Sequence, residues 1–148
     1  TFIGSGALEN HIKVFIEKEK IGHVEKYGWV PRNEQDKFMA KATIGVVTLK
    51  KDMYGLGVPS KFYNLLAAGK PIFYIGDINS ELHLILQQYD IGWFAEAGNQ
   101  EAISKTLTII ANTHIDEIRK LSKNARILAE KKYSKDIILN KYDNLFTN

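Results

Sequence analysis

Gly55-Leu56-Gly57-Val58-Pro59-Ser60-Lys61-Phe62-Tyr63-Asn64-Leu65-Leu66-Ala67-Ala68-Gly69-Lys70-Pro71 reads as a loop, a helix and a helix stop. The preceding run, Ile44 to Leu49, has the length and continuous apolar character of a strand. Ser60 is an N-cap candidate for a helix over Ser60 to Ala68. Gly69 and Pro71 close that helix, because Gly accepts the left-handed C′ position and Pro cannot continue. Strand, Gly-containing loop and helix, in that order, put three features at the carboxyl edge of a parallel sheet: free backbone N–H groups, the Ser60 hydroxyl and the Lys61 ammonium. Open α/β sheets bind ligands at that edge, and a helix N-terminus attracts anions. A phosphate is the guest such a site expects. From the residues alone, the stretch reads equally well as a capped helix with a solvated lysine.

The same alternation runs outward to both ends, as expected of βα units and a mostly parallel sheet. The other strand candidates are Phe2-Ile3, Val24 to Tyr27, Ile72 to Ile75 and Gly92 to Ala95. Their continuous apolar character indicates strands covered on both faces. Helical patterns occupy Ala7 to Glu19, Glu34 to Ala42 with Asn33 as its cap, and Ser80 to Gln88. Beyond Ala95 the pattern is all helical: Gln100 to Ala111, His114 to Lys132 and Lys135 to Asn144. The expected fold is α/β and Rossmann-like, with about five strands, helices on both faces and a helical C-terminal tail.

The 148 residues suffice for one domain with a core, and 45% hydrophobic with 25% charged residues is a globular composition. A net charge of +3 and a pI near 9.0 suit an anionic small ligand or a membrane surface, and are too mild for a nucleic-acid binder. Without cysteine there is no disulfide, thiolate zinc site or cysteine nucleophile, which fits a cytoplasmic location. No apolar run approaches the ~20 residues of a membrane helix. The opening Thr1-Phe2-Ile3-Gly4 reads as a strand already under way, so a fragment of a longer protein is expected.

The Gly55–Pro71 stretch resembles the signature of glycosyltransferase family 4, of the GT-B type, in the bacterial polysaccharide branch that carries Pro-Ser-Lys. Pro59, Ser60, Lys61, Tyr63, Ala67, Ala68, Gly69, Lys70 and Pro71 match that signature in register. Phe2-Ile3-Gly4-Ser5-Gly6 resembles the family's strand ending in Gly-x-Gly, Tyr27-Gly28-Trp29-Val30 its strand beside the nucleotide base, and Ile91-Gly92-Trp93 its last strand. The segment Glu34 to Val47 resembles the family's approach to the signature.

The resemblance implies the nucleotide-sugar-binding C-terminal domain of a retaining enzyme, over 1–148, without its first strand and without the N-terminal acceptor domain. The donor would be a nucleotide diphosphate sugar, with no metal or other cofactor, and the acceptor a polysaccharide or lipid-linked sugar. Gly57, Val58, Pro59, Ser60 and Lys61 would face the diphosphate, and Gly6 would belong to the donor-nucleotide site. Trp29 and Val30 would meet the base, and Asn64 the ribose. Asn64 stands where the family usually has a ribose-gripping glutamate, and Leu56 where it often has a second glutamate near the donor sugar. No catalytic residue is assigned, and the chain alone is expected to transfer no sugar, since half a cleft cannot hold both substrates in register.

Other features read more plainly. Gly4-Ser5-Gly6 has Glu9 where a dinucleotide fingerprint needs its third glycine. His11, His23, His83 and His114 lie far apart, without metal-site spacing. Asp77 and Glu81 flank a helix start, where capping explains them, and sugar contact is the alternative. In the last helices Arg119, Lys120, Lys123, Arg126, Lys131, Lys132 and Lys135 punctuate Ile118, Leu121, Ala125, Leu128 and Ala129. They read as a solvated face, with packing on an absent domain or peripheral attraction to anionic lipids at the inner membrane face as alternatives. Two other functions remain open: half of a nucleotide-sugar 2-epimerase, and a non-catalytic α/β module that binds a nucleotide or a partner.

Overall fold

Each apolar run forms a strand, and every pairing among the described residues is parallel. In the computed structural model β1 (Phe2–Ile3) pairs with β2 (Lys26–Tyr27), while β4 (Ile72–Gly76) pairs with both β3 (Gly45–Thr48) and β5 (Gly92–Glu96). The helices are α1 (Glu9–Lys18), α2 (Gln35–Lys41), α3 (Ser60–Ala67), α4 (Glu81–Gln88), α5 (Gln100–Ala111), α6 (Ile115–Lys132) and α7 (Lys135–Phe146). The structure describes residues 1–53 and 55–146, and Arg32 by its backbone alone. The described strands form a two-stranded sheet, β1-β2, and a three-stranded sheet, β3-β4-β5. The ladder partner of Phe2–Ile3 is Lys26–Tyr27. The chain divides into two compact units, Thr1–Phe38 and a second from Met39 onward.

In the second unit β4 is central. Ile72, Phe73 and Tyr74 are all fully buried, as continuous apolar character requires. The edge strand β3 differs: Val47 is buried, but Val46 is 48% exposed and Thr48 is exposed too. Cover on both faces therefore holds for β4 and not for β3. One face of the sheet carries the main core. Val47, Ile72 and Tyr74 meet Phe62, Leu65 and Leu66 of α3, Leu82 and Ile85 of α4, and Ala125, Leu128 and Ala129 of α6. The five apolar positions read from the α6 sequence are its buried residues. Helix α5 packs on β5, where the Thr106 hydroxyl reaches the Phe94 carbonyl at 3.5 Å.

Glycines allow the closest approaches. A Cβ on Gly92 would sit 1.9 Å from the Ile72 carbonyl oxygen, and one on Gly45 would meet the Leu65 side chain at 2.4 Å. Gly69, at φ +62, closes α3 as expected. Its N–H donates to the Leu66 carbonyl and that of Lys70 to the Leu65 carbonyl, both at 2.9 Å, which is the Schellman pattern.

The first unit is built otherwise. None of its described side chains is fully buried, and Phe2, Leu8, Val14, Phe15 and Trp29 are each more than half exposed. A polar hub stands where a core would be. The Lys26 ammonium, its side chain only 8% exposed, donates to the Gly4 carbonyl (2.6 Å), the Glu9 carboxylate (2.8 Å) and the Tyr27 carbonyl (3.0 Å).

Candidate functional site

The loop from Leu49 to Pro59 leaves the carboxyl end of β3 and delivers the chain into α3. Gly55 takes φ +81 and Asp52 φ +64, so the chain turns through left-handed conformations that Gly and Asp tolerate. Pro59, at φ −59 and ψ 112, is the N-cap of α3 and carries no capping side chain. Its carbonyl accepts the Phe62 N–H at 3.0 Å. Ser60 is thus the first helical residue, not the cap. Proline already supplies the extended cap conformation, and the Ser60 hydroxyl makes no capping bond. Asn33 likewise lies inside a 3₁₀ turn (Arg32–Glu34) ahead of α2. Ser80 and Asn99 do cap α4 and α5, accepting the N–H groups of His83 (3.3 Å) and Ala102 (3.0 Å).

Around α3, Phe62, Leu65 and Leu66 face the core, while Ser60, Lys61, Asn64 and Ala67 are exposed. Ser60 and Asn64 share a face, as their spacing of four requires. Lys61 belongs to the same solvent-facing arc, so its ammonium need not reach around the helix. Gly57, Val58 and Leu56 are exposed in the loop just before. Of the expected donor residues, the structure brings together Gly57, Val58, Pro59, Ser60, Lys61 and Asn64. Tyr63, which also matches the signature, is half-buried. It packs edge-on against Phe62 (5.4 Å) and Tyr133 (5.0 Å), and burial pushes its phenol pKa up. Its role is in the core. Lys70 donates to the Ala40 carbonyl at 3.0 Å and so ties the end of α2 to the end of α3.

A concavity at the same sheet edge lies beside the start of α5. Lys51, Glu96, Ala97, Gly98, Asn99 and Gln100 line it, with 3.9 Å between the Lys51 ammonium and the Glu96 carboxylate. Asp77, at the end of β4, is buried, and its carboxylate accepts the Asn79 N–H at 2.8 Å. That bond accounts for Asp77 as a turn residue. The basic positions of α6 are partly matched by acids: Arg119 with Asp116 (3.0 Å), Lys120 with Asp90 (2.6 Å) and Glu117 (3.2 Å), and Arg126 with Glu130 (2.7 Å). Arg126 also donates to the Ala67 carbonyl.

Gly6, Trp29 and Val30 belong to the first unit. Gly4 takes φ +124, and its N–H is shared between the Tyr27 and Gly28 carbonyls, each at 3.2 Å. This stitches the Gly4-Ser5-Gly6 turn to the segment that ends in Trp29. The Trp29 indole is 71% exposed at the carboxyl end of β2, and Val30 is half-buried. Glu9, in the first turn of α1, pairs with Lys26 and Lys13, and the Lys26 hydrogen bond holds its carboxyl below the usual range. An acidic residue in that first turn also suits the helix dipole. Sequence reading missed Lys26; its only signal was a cation inside a short strand, with an acid in the preceding helix.

The fold and the exposed α3 start define a parallel α/β protein with a hydroxyl, an ammonium and an amide gathered at the carboxyl edge of its sheet. Comparison with known proteins finds likenesses to two glycosyltransferases. The chain is similar to a probable glycosyltransferase, WbjE, of Pseudomonas aeruginosa, with 30% identity over 141 residues, 95% of this chain and 34% of that protein. Its fold matches a crystal structure of WaaG, a glycosyltransferase involved in lipopolysaccharide biosynthesis, with a TM-score of 0.67 and 19% identity over 88% of this chain and 33% of that one. The chain thus spans about a third of the length of each. No family profile matches it. No helix among the described residues is long and apolar enough to cross a membrane.

Proposed function

We propose that the chain is the donor-binding half of a retaining glycosyltransferase of family 4 and GT-B type that moves a sugar from a nucleotide diphosphate sugar to a polysaccharide or lipid-linked acceptor. The observation that carries this reading is the single exposed arc of Ser60, Lys61 and Asn64 on a helix that starts at the carboxyl edge of a parallel sheet. The two glycosyltransferase likenesses support it. The diphosphate rests on the α3 start, where N–H groups and Lys61 meet it. Asn64, four residues on, takes the ribose, exchanging the charged grip of a carboxylate for one accepted and one donated hydrogen bond. Trp29 and Val30 meet the base, and Gly6 belongs to the donor-nucleotide residues. An acceptor-binding half completes the cleft, no metal is needed, and the location is cytoplasmic, with peripheral attachment at the inner face of the membrane as the alternative. By itself the chain binds donor and transfers nothing.

Calorimetric titration of the chain with UDP, GDP and ADP tests this. One of the three binds, and Lys61→Ala weakens that binding by about ten- to a hundredfold, the worth of one charge-assisted hydrogen bond. Lys105, exposed on α5, is the control, and Lys105→Ala leaves the affinity unchanged. Equal affinities for wild type and Lys61→Ala reject the α3 assignment.

A further inference from the structure

We propose that His83 is an acid-sensitive latch: protonation of its ring loosens the first turn of α4 and, with it, the Asp77–Ser80 turn at the carboxyl edge of the sheet. His83 is 8% exposed, and its ring lies against Phe94 of β5 with centroids 4.0 Å apart. Neither ring nitrogen has a hydrogen-bond partner among the described residues. Its backbone belongs to the turn it would release. The His83 N–H donates to the Ser80 hydroxyl (3.3 Å), which donates to the Asp77 carbonyl (2.6 Å), and the Asp77 carboxylate takes the Asn79 N–H.

The groups around the ring offer a proton no compensation. From β4 comes Tyr74, 5.9 Å from Phe94, with its hydroxyl also buried and unpartnered among the described residues. Asp77, just beyond β4, is engaged by Asn79. Glu96 of β5 is exposed and faces Lys51, and Glu81 of α4 is exposed and acts on Tyr63 and Tyr133. None of these bonds the imidazole. A neutral ring seated on Phe94 is tolerated, but a charged one would bury two unpaired N–H donors and a positive charge. Burial accordingly holds the His83 pKa below the ordinary histidine range. The sign follows. The unfolded or released ring takes up its proton at a higher pH than the seated one, so the latch is fully closed above the ordinary histidine range. It weakens as pH falls through that range.

The experiment is a pH titration of the 148-residue chain by NMR, following the ring resonances of the four histidines and amide-exchange protection along the backbone. His11, His23 and His114 are exposed and serve as references. His83 titrates at the lowest pH of the four, and protection at Asn79–Leu84 falls as it does so while that of β4 holds. In His83→Phe, which keeps an aromatic ring and removes the proton site, the pH-dependent loss of protection disappears. The proposal is overturned if His83 titrates with the exposed histidines, or if Asn79–Leu84 loses protection with the same pH profile in His83→Phe. The first of these readouts uses wild-type protein and does not depend on the variant folding.

Discussion

A methyl group added at Gly6 or Gly57 meets open space, whereas one added at Gly92 strikes the backbone of the neighbouring strand. The glycines therefore separate into two kinds that the sequence alone does not distinguish. Gly92→Ala overpacks the β4–β5 contact and should cost about 1–3 kcal/mol in chemical denaturation. Gly6→Ala and Gly57→Ala should leave the denaturation midpoint within error. If the diphosphate comes close to the backbone there, the same variants weaken nucleotide binding, measured by calorimetry, without any loss of stability. Unchanged affinity in both would remove Gly6 and Gly57 from the donor site. Residue-level roles were the least legible part of the sequence. The spacing of Ser60 and Asn64 gives one shared face, and the solvent-facing arc of α3 is wide enough to include Lys61 as well. The partners of Lys26 and His83 were not legible, since they come from residues 4, 9 and 94, which only folding brings near.

At the scale of elements, the chain's punctuation was legible because it acts locally. Gly69 and Pro71 end α3 at the expected place, since the left-handed C′ position and the missing proline N–H are properties of those residues themselves. The strands fell where short apolar runs put them, within two residues at each end. The caps were only partly legible. Ser60 and Ser80 look alike in sequence, but Pro59 takes the cap position before Ser60, while nothing displaces Ser80. A paired measurement separates them. Ser80→Ala removes a side-chain acceptor from the His83 N–H and should cost about 1 kcal/mol of stability, whereas Ser60→Ala should cost almost none. Comparable losses in urea denaturation would mean that the Ser60 hydroxyl holds the helix end after all. Cover of the strands was legible for β4 and not for β3, because an apolar run records what a strand can bury and not which helices lie over it.

Across the whole molecule, burial is unequally shared. The second unit has a continuous core running from Val47 through Ile72 and Tyr74 to α3, α4 and α6, while the first unit, through Phe38, has no fully buried side chain among those described. Apolar burial is the main favourable term in folding, so an element without it relies on its few hydrogen bonds. In the first unit these include the short β1–β2 ladder, the turns of α1, the Gly4 N–H and the three bonds of the Lys26 ammonium. Such a unit should open locally at a free energy well below that of global unfolding. Native-state hydrogen exchange on the 148-residue chain should therefore show amides of β1, β2 and α1 exchanging by sub-global opening, while those of β4 exchange only on global unfolding. Lys26→Met keeps a long apolar stem but removes all three bonds. It should speed exchange of the Gly4 and Tyr27 amides at least several-fold and leave β4 unchanged. Acid acts on the same hub through Glu9. Its carboxyl is held low by Lys26, so its contribution is present above the ordinary carboxylate range and is lost as pH falls through its lowered value. If first-unit amides instead exchange at the same free energy as those of β4, with one denaturant dependence, then the first unit folds as part of a single cooperative whole and the Lys26 hub is incidental to it.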